Sequence, residues 1–239
     1  MDLSFVDRYT YRARLVPSLL TFLPLAFGGM IWFPGQEATW KVVGVILVSS
    51  GGATLLSHFG RDLGAKKQNE LFRLWGGVPT NRLLSHRLTR FDEVTLGRYH
   101  AKLKYLIPEL QIPNAVEEMK NPSHAAQIYD SAIAFLREKT RDQKVFPVVF
   151  AENVNYGFRR NLLGWKPVGI GASSLGLMSC AVFAATHFRD EQSVTLLSIA
   201  GAIVSATLLI LWLFVIRPRW VRYAADAYAE RLVRSLDAL

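Results

Sequence analysis

The sequence predicts an all-α integral membrane protein, with four transmembrane helices and a helical cytoplasmic domain inserted between the second and the third. Three observations predict it. Hydrophobic residues make up 51% of the 239, and they are gathered into long blocks instead of being spread at the period of a surface helix or strand. Four of those blocks, residues 15–33, 42–56, 168–186 and 194–216, contain no Asp, Glu, Lys, Arg or His. The cationic residues lie almost entirely between the second and third blocks or near the chain ends. The apolar content excludes a disordered or collagen-like chain. With Cys180 as the one cysteine, neither an intrachain disulfide nor a cysteine-built metal cluster can form.

A helix needs roughly 20 apolar residues to cross about 30 Å of hydrocarbon. The second block is short alone, but Trp40 and Lys41 at one end and Ser57 and His58 at the other are interfacial residues that extend it. Pro17 and Pro24 predict kinks in the first span. Of the 28 Lys and Arg, three precede the first span, eighteen lie between Arg61 and Lys166, and five follow the fourth. The positive-inside rule then puts both termini and the central segment in the cytoplasm, with short outer hairpins at 34–40 and 187–193, and the expected location is a bacterial inner membrane. The expected organisation is a first hairpin, 1–58, a helical domain, 59–166, and a second hairpin with a cytoplasmic tail, 167–239.

The spans carry no ionisable side chain at depth, which disfavours a proton-coupled transporter. They do carry small residues at helical spacing: Ala172, Gly176, Cys180 and Ala184 on the third, and Ser198, Ala202 and Ala206 on the fourth. Such stripes let helix backbones approach closely, either within the chain or in a homo-oligomer.

The insert holds eighteen basic and eleven acidic residues. Its periodicity predicts a helix over 65–75, stopped by Gly76, Gly77 and Pro79, a short turn over 80–86, and a helix over 93–107, stopped by Pro108. Asn114 and Glu117 have the spacing of a capping box. A longer helix follows Pro122, with Ser123 as N-cap and Ala125, Ile128, Tyr129, Ala132, Ile133 and Leu136 as its apolar face. Residues 145–150 are β-formers interrupted by Pro147 and predict a loop or a helix start. The positive charge fits the anionic headgroups of the protein's own lipid bilayer, an anionic ligand such as a nucleotide, or a cytoplasmic protein partner. Headgroup attraction is the default for Arg159, Arg160 and Lys166, just before the third span. Neither an RNA-recognition sheet nor a zinc-finger spacing supports nucleic acid.

The search for chemistry assigns no catalytic residue, no metal and no cofactor, and favours a protein that is not an enzyme. The run Gly60 to Lys67 predicts a helix opening that offers amides and lysines to an anion, without the Gly-Lys-Ser/Thr ending of a phosphate loop. Asp62, Lys66 and Glu70, at i, i+4 and i+8, predict surface ion pairs. Trp75 opens a stop-and-start segment that alternatively forms a pocket loop. His86, His100 and His124 lack the spacing of a metal pair. Glu152, Asn153, Tyr156, Arg159 and Arg160 belong to the densest polar-aromatic cluster, a coupling segment, the rim of a ligand pocket, or an interfacial anchor. Arg61 and Asp62 leave the second span at the same membrane face and are expected to meet it. Two other classes stay open: a membrane-tethered enzyme built on Asp62, Glu70 and Glu152, and a scaffold that recruits a partner.

The order of two spans, a cytoplasmic insert and two spans resembles the four-helix membrane effectors of bacterial anti-phage systems. That resemblance implies an oligomer whose cytosolic portion senses a signal and whose spans permeabilise the membrane. Phe59, Glu70, Trp75 and Gly76 are similar in spacing to residues of bestrophin-type anion channels, a Phe ending the second span, then a Glu, then Trp-Gly. This implies anion conduction. The departures are Gly60-Arg61 where the family has Arg-Asn after the Phe, and a missing Ser-Tyr pair.

Overall fold

The computed structural model describes residues 8–33, 35–36, 39, 41–42, 44, 51–187 and 196–239. About half of the second expected span and most of both outer hairpins lie outside these residues. Every regular element among them is helical: α1 (Thr10–Trp32), α2 (Gly52–Trp75), α3 (Pro79–Leu84), α4 (Glu93–Leu106), α5 (Ala115–Lys120), α6 (Pro122–Lys139), α7 (Pro147–Thr186), α8 (Leu196–Val215) and α9 (Pro218–Arg234), followed by a 3-10 turn, Ser235–Ala238. Three of them, α1, α7 and α8, are long and apolar enough to cross a membrane.

The chain divides into two compact units, Met1–Gln68 with Gly157–Val221 and Asn69–Tyr156 with Arg222–Leu239. These limits differ from the sequence-based ones. Positions 58/59 and 166/167 lie inside α2 and α7, where no break occurs. The last eighteen residues, expected as a tail of the second hairpin, group with the middle of the chain. All three passages of the chain between units, at 68/69, 156/157 and 221/222, lie inside helices α2, α7 and α9.

In the first unit, small residues set the packing. A Cβ at Gly176 would lie 2.7 Å from Pro24 Cβ and 2.9 Å from Ser205 Oγ, and one at Gly201 would lie 3.2 Å from Phe27 Cβ and 3.3 Å from Cys180 Sγ. The third-span stripe is thus used at Ala172, Gly176 and Cys180, which are buried, whereas Ala184 is half-buried. On α8 the buried stripe is Ser198, Gly201 and Ser205, while Ala202 and Ala206 lie half-buried beside it. The sequence reading followed i, i+4 steps; the observed face follows i, i+3, i+7, which a 3.6-residue turn equally allows. α1 is the element seated against both helices.

In the second unit, a core of Leu84, Tyr99, Leu103, Ala132, Ile133, Leu136, Leu232, Val233 and Leu236 draws on α3, α4, α6, α9 and the final turn. Its helix ends are built by local chemistry. After Trp75, Gly76 and Gly77 adopt φ of +76° and +121°, and their N–H groups bond Arg73 O and Phe72 O, a Schellman closure that only glycines enter without strain. The Asn114–Glu117 capping box forms as expected. α6 is capped by Asn121, not Ser123, because Pro122 takes the first helical position and Asn121 Oδ1 accepts from His124 N–H at 3.1 Å. Pro147 starts α7.

Candidate functional site

Proline at 17 has no N–H to give the carbonyl of Ala13, four residues earlier. Just before it, Thr10–Leu15 forms a π-helical turn at the start of α1. The Ala13 oxygen sits in a fully buried residue, and leaving it unpaired would cost about 1–3 kcal/mol. Asn161 of α7, also fully buried, donates to it from Nδ2 at 2.7 Å. Asn161 Oδ1 in turn accepts from Arg160 Nε at 3.3 Å and Nη2 at 3.2 Å, and Arg160 Nη1 donates to Gln68 Oε1 at 2.6 Å. The polar chain from Gln68 to Ala13 therefore passes through the charge of Arg160 and ends on a proline-freed carbonyl.

Space for this chain comes from Gly64, whose Cβ, if present, would lie 2.1 Å from Asn161 Oδ1. Gly60 through Lys67 are interior residues of α2, so their amides serve the helix and the expected anion-binding helix opening does not exist. Gly60 and Gly64 serve the close crossing of α2 with its neighbours instead.

Two other basic residues near α7's apolar half find similar acceptors. Lys166 Nζ donates at 2.8 Å to the carbonyl of Ile216, the C-cap residue of α8. Arg159 Nη1 donates at 3.0 Å to Trp220 O, with its guanidinium 4.7 Å from the Trp220 ring centroid. Arg159, Arg160 and Lys166, expected at the headgroups, each have an acceptor within the chain.

Of the other candidates in the first unit, Arg61 and Asp62 pair with each other at 3.0 Å on the exposed side of α2, and Lys66 is exposed one turn on. In the second unit Glu70 is exposed, and Trp75 is buried, with its carbonyl accepting from Arg82 Nη1 at 2.9 Å. Trp75 is therefore a helix-end core residue. Glu152 and Asn153 are half-buried, Glu152 Oε2 accepts from Asn155 Nδ2 at 3.4 Å, and the Tyr156 ring stacks on Tyr228 with centroids 6.2 Å apart.

The second unit contains a polar constellation that the sequence reading missed. Glu118, 6% exposed, accepts from Ser85 Oγ, from His86 N–H at 2.8 Å and from Tyr129 Oη–H at 3.0 Å. His86 Nε2 lies 3.1 Å from Pro113 O, and His100 Nε2 lies 2.8 Å from Leu84 O. A carbonyl only accepts, so both rings carry a proton on Nε2. The two rings meet edge-to-face at 4.9 Å. Burial pushes Glu118 up, but the hydrogen bonds from Ser85, His86 and Tyr129 outweigh it and hold the carboxyl below its ordinary range. Burial pushes His100 down, with the nearby His86 and Lys104 adding to the effect, and burial plus the Glu118 charge pushes Tyr129 up.

The signs combine in one direction. The unfolded chain takes up a proton on His100 near pH 6.5 before the folded chain does, so stability falls as pH drops below that value. Glu118 adds a further loss as pH falls below about 4.5 through its lowered folded value. Hydrogen exchange of peptides covering residues 84–106 in the full chain is expected to lose protection between pH 7 and pH 5.5 after correction for intrinsic rates. His100→Gln is expected to remove that limb, and an unchanged limb contradicts the assignment.

An open cavity of about 780 Å³ lies beside this constellation, bordered by α4, α5, α6 and the segment between α4 and α5. Lys104, Lys120 and His124 stand in its lining. The sequence pattern drew attention to none of these as a group, because they lie on three elements. No family model, no curated protein and no solved structure matches the chain.

Proposed function

We propose that the chain is a multi-pass protein of the bacterial inner membrane, with four spans and with both termini and the second unit on the cytoplasmic side. In this reading it forms a homo-oligomer and acts as a membrane-permeabilising effector, of the kind used in anti-phage defence, controlled by a ligand or partner that engages the second unit. The observation that carries the reading is that every passage of the chain between the units is helical. A helix resists bending and twisting where a loop does not, so a change in the second unit reaches the apolar helices through α2, α7 and α9. Support also comes from Ser173 Oγ and Ser205 Oγ, buried hydroxyls with no hydrogen-bond partner on stretches of α7 and α8 that carry no charge. Unsatisfied hydroxyls are positions that gain by admitting water when such helices separate.

Purified full-length chain in phosphatidylethanolamine–phosphatidylglycerol vesicles loaded with carboxyfluorescein tests this. Dye release on addition of cytosolic extract or nucleotides is expected. Full retention of dye under both additions sinks the proposal, and reversible, chloride-selective currents in planar bilayers would replace it with the anion-channel reading.

A further inference from the structure

We propose that the cavity bordered by α4, α5 and α6 binds a phosphorylated small molecule of nucleotide type, carrying two or more phosphates. The inference deepens the reading above by naming the ligand site, and its binding test does not depend on leakage. A volume of about 780 Å³ is of the size that takes up small ligands, which occupy about 300–1,000 Å³.

Three separate elements bring cationic or titratable donors to that one space: Lys104 from α4, Lys120 from α5 and His124 from α6. The single carboxylate in the lining, Glu117, is engaged in the capping box, where its Oε2 accepts from Asn114 N–H at 2.9 Å. Asn114 and Asn121, also in the lining, spend their Oδ1 atoms on helix capping, accepting from Val116 and Glu117 N–H and from His124 N–H. What each amide has left to offer is its Nδ2 donor pair. Gln111 adds an amide with both a donor pair and an acceptor oxygen, and donors still outnumber acceptors among the lining side chains, which is the complement of a phosphate chain. Leu110, Ile112 and Ile128 supply an apolar part of the same lining, suited to the face of a base or sugar. An inorganic anion would leave that part unused.

Behind the cavity, Glu118 ties the short helix α5 to Ser85, His86 and Tyr129. Glu118 is a positioning residue in this scheme: it holds α5, and with it Lys120 and Asn114, against α6.

Isothermal titration calorimetry of the detergent-solubilised full chain decides the matter, using ATP, GTP, CTP and UTP, with inorganic pyrophosphate and dihexanoyl-phosphatidylglycerol as separate arms. At least one nucleotide is expected to bind at one per chain with micromolar affinity, weakening as salt rises. Lys104→Gln with Lys120→Gln is expected to cut that affinity tenfold or more while helical content stays unchanged, and Lys139→Gln, outside the cavity, to leave it within twofold. Glu118→Gln is expected to weaken nucleotide binding and, unlike a lysine change, to raise hydrogen exchange in 115–120 of the free protein. No heat with any nucleotide, or nucleotide affinity indifferent to the lysine pair, overturns the site. Pyrophosphate or the soluble lipid binding as tightly as every nucleotide overturns the assigned ligand class.

Discussion

Leu232→Asp is expected to abolish cooperative folding of the second unit. Leu232 is fully buried in α9, within the core that contains Leu84, Tyr99, Leu103 and Leu136. The change replaces the three apolar carbons beyond Cβ, worth about 2–5 kcal/mol by analogy with leucine-to-alanine truncations, with a carboxylate that has no buried partner. A loss above about 4 kcal/mol is large against the roughly 5–15 kcal/mol of a whole domain. Hydrogen exchange should rise together in Glu93–Leu106 and Pro122–Lys139, elements far from residue 232 in sequence, and limited proteolysis should cut within 69–156. Leu232→Met, which conserves volume, should cost less than about 1.5 kcal/mol. Retained protection in the Asp variant would mean that the C-terminal helix does not complete this core.

That role of α9 marks where the sequence was hard to read. Its apolar residues, Val221, Ala224, Ala225, Ala229, Leu232 and Val233, are spaced as a helix face, but they follow an apolar block closely and invite treatment as its tail. Periodicity states that a face is buried and is silent about which distant element covers it. The same limit hid the Glu118 constellation: Ser85, His86, Glu118 and Tyr129 span 45 positions and none carries a motif spacing. Local signals fared better. The Gly76-Gly77 stop, the Asn114–Glu117 box and the Pro147 helix start each depend on residues within a few positions of one another, and each formed. Asn121 took the cap expected of Ser123 because a proline at the first helical position outranks a serine one step later.

The polar chain through Asn161 had a legible beginning. Pro17 announces that the Ala13 carbonyl needs another donor, and a sequence reader can search the other helices for an Asn or Arg to supply it. Asn161, two residues beyond Arg159 and within an otherwise apolar run to Trp165, was the available one. Its pairing with Gly64 was not legible, since a glycine inside a polar stretch reads equally as a loop or a helix opening. Arg160 and Asn161 thus serve the first unit as structure.

The α2–α7 crossing should be the most sensitive part of the first unit to small substitutions. A Cβ on Gly164 would lie 2.7 Å from Gly64 N and 2.7 Å from Leu63 C, both backbone atoms, so no side-chain rotation relieves the overlap. On Gly64 it would meet Asn161 Oδ1 at 2.1 Å and Asn161 Cα at 3.0 Å, displacing the amide that serves Ala13. Gly164→Ala and Gly64→Ala are each expected to cost more than about 2 kcal/mol, since overpacking usually costs about 1–3 kcal/mol and backbone contacts yield least. Gly97→Ala is the matched control: its Cβ meets nothing within 4 Å on the exposed face of α4, and removing a mid-helix glycine should stabilise by up to about 1 kcal/mol. Thermal aggregation in detergent, followed by size-exclusion chromatography, measures all three. The double variant, Gly64→Ala with Gly164→Ala, should cost less than the sum of its parts, because either change already separates the same two backbones. Additive losses would show that the two glycines serve independent contacts, and wild-type stability of Gly164→Ala would show that α2 and α7 do not cross this closely in the protein.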